Sequence, residues 1–223
     1  MAVVSFEQVE EAALRRHGPL GVEARLGMPK MEAELAAMPD DRHLSLMSLR
    51  TFRAGLKHEL VDRKWPAFEE VFKGFDLAAC ARLYDEDYEA MLEDRRLVRH
   101  MGKLRAVRAN AAAMVEIAGE HGSFGRWLGA WPVSDIVGLW DELGRRFHQL
   151  GGNSAAAFLR MAGKDTFILT DHVGRAVARL GVVEGLVKTK ADRRRVQDAF
   201  NGWMDETDRP LCQLSQILAM SGD

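Results

Sequence analysis

Leu150-Gly151-Gly152-Asn153-Ser154-Ala155-Ala156-Ala157 is the stretch on which the reading of the fold turns. Two adjacent glycines permit a positive φ and a backbone with no side chains in the way. Asn153 and Ser154 are residue types that favour the start of a helix. The three alanines behind them let a second helix come close. Upstream, Val133 to Phe147 carries apolar residues at helical spacing, with Ser134 or Asp135 available as a cap. Downstream, Ser154 to Met161 predicts a helix that Gly163 ends. The segment therefore predicts two helices joined by a tight turn. The second helix presents free N–H groups at its start, where a phosphate can bind. An ordinary helix hairpin with glycine at its bend explains the same residues.

The rest of the chain reads as helix as well. Val9 to Arg16 is a short amphipathic run, interrupted by Gly18, Pro19 and Gly21. Met31 to Ala37 predicts a turn or two of helix. Asp40 or Asp41 is placed to cap the next, with Leu44, Met47, Leu49, Phe52 and Leu56 on its apolar face. Trp65-Pro66 predicts a helix start. Asp76 is placed to cap Leu77–Leu83, and Asp85 to cap Asp87–Glu93. Leu97 to Ile117 is the longest helical stretch, and Asp171–Leu180, Lys190–Met204 and Leu211–Met220 follow. Only Thr166–Leu169 reads as extended. No alternating strand pattern and no internal repeat is present, so the fold class is all-α.

Composition excludes several classes. The 223 residues are 47% hydrophobic and 29% charged, which is ordinary for a folded domain. No apolar run is long enough to span a bilayer. Glu7, Glu10 and Glu11 stand where a secretion signal would be basic and then apolar. Two cysteines, Cys80 and Cys212, cannot build a disulfide scaffold, and no CxxC suggests zinc. The expected setting is the cytoplasm, with both thiols reduced.

A formal net charge of -2 hides segregation. The first 42 residues hold eight acids and five bases. Arg95, Arg96, Arg99, Lys103, Arg105 and Arg108 lie together with no acid among them. Arg145, Arg146 and His148 precede the glycine turn, and Lys188, Lys190, Arg193, Arg194 and Arg195 form a third group. A few such residues on one face suffice for phosphate contacts, and a solvated helix face explains them equally. The seven histidines make no metal-binding spacing, and a lone histidine such as His58 or His172 is more often structural. No P-loop, GxGxxG or GxSxG is present.

Several motifs in register resemble one family. Phe52-Arg53-Ala54-Gly55-Leu56, Trp65-Pro66-Ala67-Phe68, Gly74-Phe75-Asp76, Asp85-Glu86-Asp87 and Arg99-His100-Met101-Gly102-Lys103-Leu104 with Asn110-Ala111 resemble 3-methyladenine DNA glycosylase I in order and spacing. The Leu150–Gly163 stretch with Asp171-His172-Val173-Gly174-Arg175 is similar to the helix-hairpin-helix of the wider DNA glycosylase superfamily. The closing Trp203, Arg209-Pro210-Leu211, Ser215 and Leu218-Ala219 resemble a divergent, zinc-free branch.

The resemblance implies a two-lobed all-α fold with a cleft between lobes. It implies an N-terminal helical extension at 1–40 and a glycosylase-like helical domain at 41–223, with the hairpin near 145–161. Such a protein grips double-stranded DNA, flips a damaged purine, here expected to be alkylated, and hydrolyses its N-glycosidic bond in base excision repair. It implies Gly151, Gly152, Asn153, Ser154 and Lys103 as DNA contacts. Arg50 stands where the family has a glutamate that touches the alkylated base, and Lys57 and His58 stand around the family's tryptophan position. These three are the expected base-pocket residues. The superfamily's catalytic aspartate position falls on Thr170, so Asp171, one residue on, is the expected carboxylate. The family's zinc-binding cysteines are absent, so no metal and no cofactor is expected. No lysine stands at the lyase position, where Ser154 or Ala155 is found, so a monofunctional enzyme is implied. A monomer, associated with the nucleoid and not with membrane, is expected. Two rival readings are a DNA-binding protein of glycosylase descent without activity, and a helical adaptor using Trp127, Trp131 and Trp140.

Overall fold

The computed structural model describes residues 5–222. Among them are thirteen α-helices and no strand: α1 (Glu7–Glu23), α2 (Glu32–Ala37), α3 (Asp40–Arg53), α4 (His58–Val71), α5 (Leu77–Ala81), α6 (Asp85–Glu93), α7 (Met101–His121), α8 (Phe124–Ala130), α9 (Ile136–Arg146), α10 (Asn153–Ala162), α11 (Asp171–Arg179), α12 (Lys190–Thr207) and α13 (Leu211–Ser221). No described helix is long and apolar enough to cross a membrane. The chain forms two compact units. One holds 31–131 and 140–164, and the other holds the chain up to 30, 132–139 and 165 onward. Helix α9 carries the chain from the second of these to the first.

In the unit holding α2–α8 and α10, helix α3 packs on α7 and α10, and α5 lies against α7. Aromatic rings fill the space between α3, α4 and the turn after it. Trp65 stacks on Phe68 at 4.9 Å and on Phe75 at 5.4 Å, and Phe52 meets Phe68 at 4.5 Å. A polar strap covers this cluster. Trp65 Nε1 donates to Ser45 Oγ at 3.2 Å, and Ser45 donates to Glu69 at 2.6 Å. Arg42 grips the Glu69 carboxylate through two bonds of 3.1 and 3.0 Å. Helix α8 approaches α2 closely through Gly125, where a Cβ would collide with the Leu35 carbonyl.

In the other unit α1 runs along α13, and α11 and α12 also pack on α13. Phe167 stacks on Phe200 at 4.2 Å. The buried Asp165 carboxylate accepts from Leu211 N at 2.9 Å and Cys212 N at 2.8 Å. It thereby satisfies two of the four N–H groups that α13 leaves without helical partners, since Pro210 ahead of them offers no side-chain cap.

Several local expectations are corrected. Pro66 lies inside α4, which starts eight residues earlier at His58. The first turn of a helix suits proline, but packing of Val61 and Phe68 holds this one together on both sides of it. Asp40 does not cap its own helix. Its carboxylate accepts from Phe124 N and Gly125 N at 3.1 to 3.3 Å and so caps α8. Helix α6 begins at Asp85 with Tyr84 as its cap residue, because Asp87 reaches back to Tyr84 N at 2.8 Å. The stretch from Val133 to Phe147 is a 3-10 turn followed by α9. The interruption expected at Gly18 is present, since its φ of +67 and ψ of 162 are non-helical and break α1 into two helical segments. Asp76 does cap α5, accepting from Ala79 N at 2.7 Å, and Gly163, φ +96, ends α10 as expected.

Candidate functional site

The glycine turn is built as a rigid platform from below. Leu150 is fully buried, and Ala155 and Ala156 behind the turn are buried where α10 meets α3. Asn110, in the alanine-rich part of α7, holds the approach to the turn from both sides. Its Oδ1 accepts from His148 N at 2.7 Å, and its Nδ2 donates to His148 O at 3.2 Å. Gly151, Gly152 and Asn153 are exposed. Gly152 has φ +58 and ψ −136 as the cap residue of α10, a conformation close to glycine's own territory. A Cβ added at Gly151 or Gly152 would meet nothing within 4 Å. The glycines therefore do not relieve crowding inside the protein. They keep open the space in front of a positive helix end.

Arg50 and Ser154 come together at this turn. Arg50, half-buried on α3, directs Nη2 to Ser154 Oγ at 3.4 Å. Its Nε is buried with no partner. Burial, and then the charge of Arg53, lower its pKa from the ordinary arginine value. Lys57 and His58 lie at the exposed start of α4. Asp171 lies in the other unit, exposed as the first residue of α11. Thr170 is the cap residue there, its Oγ1 accepting from Val173 N at 3.2 Å.

Lys103 is placed differently from the expectation. It is buried, and its ammonium donates to Ala54 O at 2.6 Å and Phe52 O at 3.3 Å, the carbonyl end of α3. A cation at a helix C-terminus is favourable, and this one is spent there and not on an outside phosphate. Burial, and then the charge of Arg50, lower its pKa. Lys164 does the same for α8, donating to Trp131 O at 2.6 Å and Gly129 O at 2.9 Å. Sequence reasoning missed this second cap, though a lysine just past a helix-ending glycine was the available signal.

The basic clusters are less basic in space than in sequence. Arg96 is held by Asp94 and Glu70, and Arg145 and Arg146 share Glu142. Arg194 pairs with Asp135 and Arg195 with Asp192. Arg105 reaches Asp85 at 3.4 Å and sits over the Tyr88 ring. Arg95, Arg99 and Arg108 remain exposed. Of the three tryptophans proposed for an adaptor surface, Trp127 and Trp140 are buried and Trp131 is half-buried.

Among the described residues no group of three or more His, Cys, Asp or Glu is arranged for a metal. Cys80 is buried, its thiol directed at Phe72 O at 3.6 Å, and burial pushes its pKa up to about 12. It lines a half-open groove of about 660 Å³ between α5 and α6, where Asp76 and Asp87 are occupied as helix caps.

Comparison with known proteins bears on this site. Residues 35–141, just under half of the chain, match the family model described as methyladenine glycosylase. A curated relative, DNA-3-methyladenine glycosylase 1 of Escherichia coli (strain K12), is 31% identical over 72 residues. That match covers 32% of this chain and 38% of the relative. The 3-methyladenine DNA glycosylase I of Staphylococcus aureus, solved to explain recognition of 3-methyladenine, superposes with a TM-score of 0.52 at 22% identity, over 70% of this chain and 91% of that one. The 8-oxoguanine glycosylase/lyase of Methanocaldococcus jannaschii, solved with DNA containing 8-oxoguanine, gives 0.51 at 15% identity over 96% and 94%. The chain resembles 3-methyladenine DNA glycosylase I in its central segment, and its fold is that of the helix-hairpin-helix DNA glycosylases.

Proposed function

We propose that this chain, built on the DNA glycosylase fold, is itself a DNA glycosylase of base excision repair acting on a damaged purine. The observation that carries the reading is the open turn at Gly151-Gly152 in front of α10, backed by Asn110 and α3. Exposed N–H groups at a helix start take a backbone phosphate, and small residues let the strand come close. The lesion leaves the stack and its C1′–N bond breaks. The bonding pair departs with the base, water adds to C1′, and the proton that the water gives up passes through solvent, reaching the departing base where that base is not already cationic. Asp171 supplies the carboxylate that steadies the cationic sugar and orients that water.

The enzyme is monofunctional in this reading. Ser154 offers no amine, and Lys103 spends its ammonium on two carbonyls, so no free lysine waits beside the turn for a Schiff base. The hydrolysis needs no redox cofactor. The chain acts as a monomer on duplex DNA in the nucleoid.

Single-turnover excision from duplexes carrying one damaged purine tests the proposal. Asp171→Asn is expected to slow excision by about a hundredfold or more. Full activity in that variant would remove Asp171 from the mechanism. A second reading, a DNA-binding protein without chemistry, is favoured by one observation: the hydroxyl of Thr170, not a carboxylate, holds the cap of α11. Binding to abasic duplex with no excision of any lesion would decide for it.

A further inference from the structure

Two other elements are attached to one face of α3. Arg50 reaches Ser154 at the start of α10, and the ammonium of Lys103, at the start of α7, sits on the carbonyls of Ala54 and Phe52. Arg50 and Ala54 are four residues apart, so they lie on the same side of the helix, about one turn from each other. The glycine turn and the start of α7 are therefore neighbours within one compact unit. Around the end of α3 the fold then places Lys57, three residues past Ala54, and Arg99 and His100, just ahead of α7. All three are exposed.

The cations of this edge divide into two sets. Asp62 takes Arg53 through bonds of 2.8 and 2.7 Å, and Asp94 and Glu70 take Arg96. Lys64 spends its ammonium on Arg95 O at 2.6 Å and Leu97 O at 3.3 Å. No carboxylate pairs with Lys57 or Arg99 among the described residues, although Glu59 stands two positions from Lys57. His100 is held in a set orientation. Its Nδ1 accepts from Lys103 N at 3.4 Å, so the proton of the neutral ring stands on Nε2. The ring lies over Gly102, where a Cβ would be 3.4 Å from Cε1. The Nε2–H is left as a donor with no protein acceptor.

We propose that Lys57, Arg99 and His100 form a second phosphate grip for duplex DNA, beside the glycine turn and roughly 15 Å from it, a turn of α3 plus the reach of the side chains at either end. This rests on the glycosylase reading above, and it moves Lys57 from the expected base pocket to the DNA backbone. Phosphates supply the negative charge that this edge lacks, and contacts to them fix register without reading sequence. At 3.4 Å per nucleotide the two grips are about four nucleotides apart. One grip alone leaves the duplex free to pivot about it. Two hold the backbone on both sides of a nucleotide that leaves the stack.

The test is fluorescence anisotropy with an abasic-site duplex across a salt series. Lys57→Ala and Arg99→Ala should each bind about threefold to tenfold more weakly, and each should lower the slope of log Kd against log salt by about one. His100→Asn keeps an acceptor for Lys103 N and loses the outward donor, so it should weaken binding with the slope unchanged. Glu59→Gln removes the acid beside the grip and should tighten binding. Arg15→Ala takes the same charge from α1, in the other unit, and should change neither quantity. Thermal melts establish that each variant is folded. Neutral methylphosphonates placed singly along the duplex should weaken wild type at two positions about four nucleotides apart, and Arg99→Ala should be insensitive at one of them. Unchanged affinity and slope in Lys57→Ala and Arg99→Ala, with lesion excision intact in wild type, would overturn the second grip and leave the glycosylase reading standing. Equal losses in Arg15→Ala would overturn it too, as general attraction. The expected slopes with no excision of any lesion would sustain the grip and sink the enzyme.

Discussion

Replacing Gly151 and Gly152 by alanine, one at a time, separates the conformation of the turn from access to it. Gly152 has φ +58 and ψ −136, outside the region an alanine tolerates. Backbone strain of that kind costs about 1–3 kcal/mol. For a chain of this size each kcal/mol moves Tm by roughly 2–4 °C, so Gly152→Ala should melt roughly 2–12 °C lower. Gly151 is different. It is absent from the positive-φ glycines, and a Cβ there touches nothing within 4 Å. Gly151→Ala should therefore stay within about 0.5 kcal/mol of wild type, helped slightly by lower unfolded-state entropy. Its methyl group nevertheless projects in front of the helix end where the phosphate is proposed to sit. Fluorescence anisotropy with an abasic-site duplex is expected to show about tenfold weaker binding or more for Gly151→Ala, with its melt unchanged. Undiminished affinity in that stable variant would refute the turn as the backbone grip. Equal losses in stability for both variants would refute the account of why two glycines stand there.

Two further outcomes follow from carboxylates that the fold holds in place. Asp165→Ala strands the N–H groups of Leu211 and Cys212, at about 1–3 kcal/mol each. Urea unfolding should show a loss of about 2–5 kcal/mol, and a change below about 0.5 kcal/mol would mean that α13 finds another cap. At Glu69, burial works to raise the carboxyl, but the hydrogen bonds from Arg42 and Ser45 and the charge of Arg42 outweigh it and hold the pKa low. A depressed folded value contributes stability that is present above the unfolded pKa and lost as pH falls through the folded one. The stability gap between wild type and Glu69→Gln should therefore be widest near neutrality and close below about pH 4, and a gap independent of pH would contradict the assignment.

The helices were legible because their signals are local. Apolar spacing marked α3, α7, α10, α12 and α13 within a few residues, and the cap residues Asp76 and Gly163 did what their types predict. Where the reading slipped, a partner distant in sequence had taken the residue. Asp40 looked like a cap for α3 and caps α8 instead, 84 residues away. Pro66 looked like a helix start, yet buried Val61 and Phe68 carry α4 through it. Asp165, which anchors α13 from 46 residues back, had no signal in its own neighbourhood. The grouping of the N-terminal helix with the C-terminal ones is of the same kind, since α1 packs along α13.

Charge was the least legible property, because a run of basic residues says nothing of where each carboxylate lands. Counted along the chain, residues 95–108 look like a strip for DNA. In space Arg96 is cancelled by Asp94 and Glu70, Arg105 leans on Asp85, and Lys103 is turned inward to hold α3. What distinguishes a ligand-directed cation is therefore not membership of a cluster but the lack of a partner that could have been had. Arg53, three residues from Arg50, found Asp62, and Arg42 found Glu69. Arg50 lies between them in sequence, on the same helix, with an idle Nε. Among these α3 arginines it is the one whose charge the protein leaves unanswered. Its place beside Ser154 puts that charge at the turn proposed above as the backbone grip.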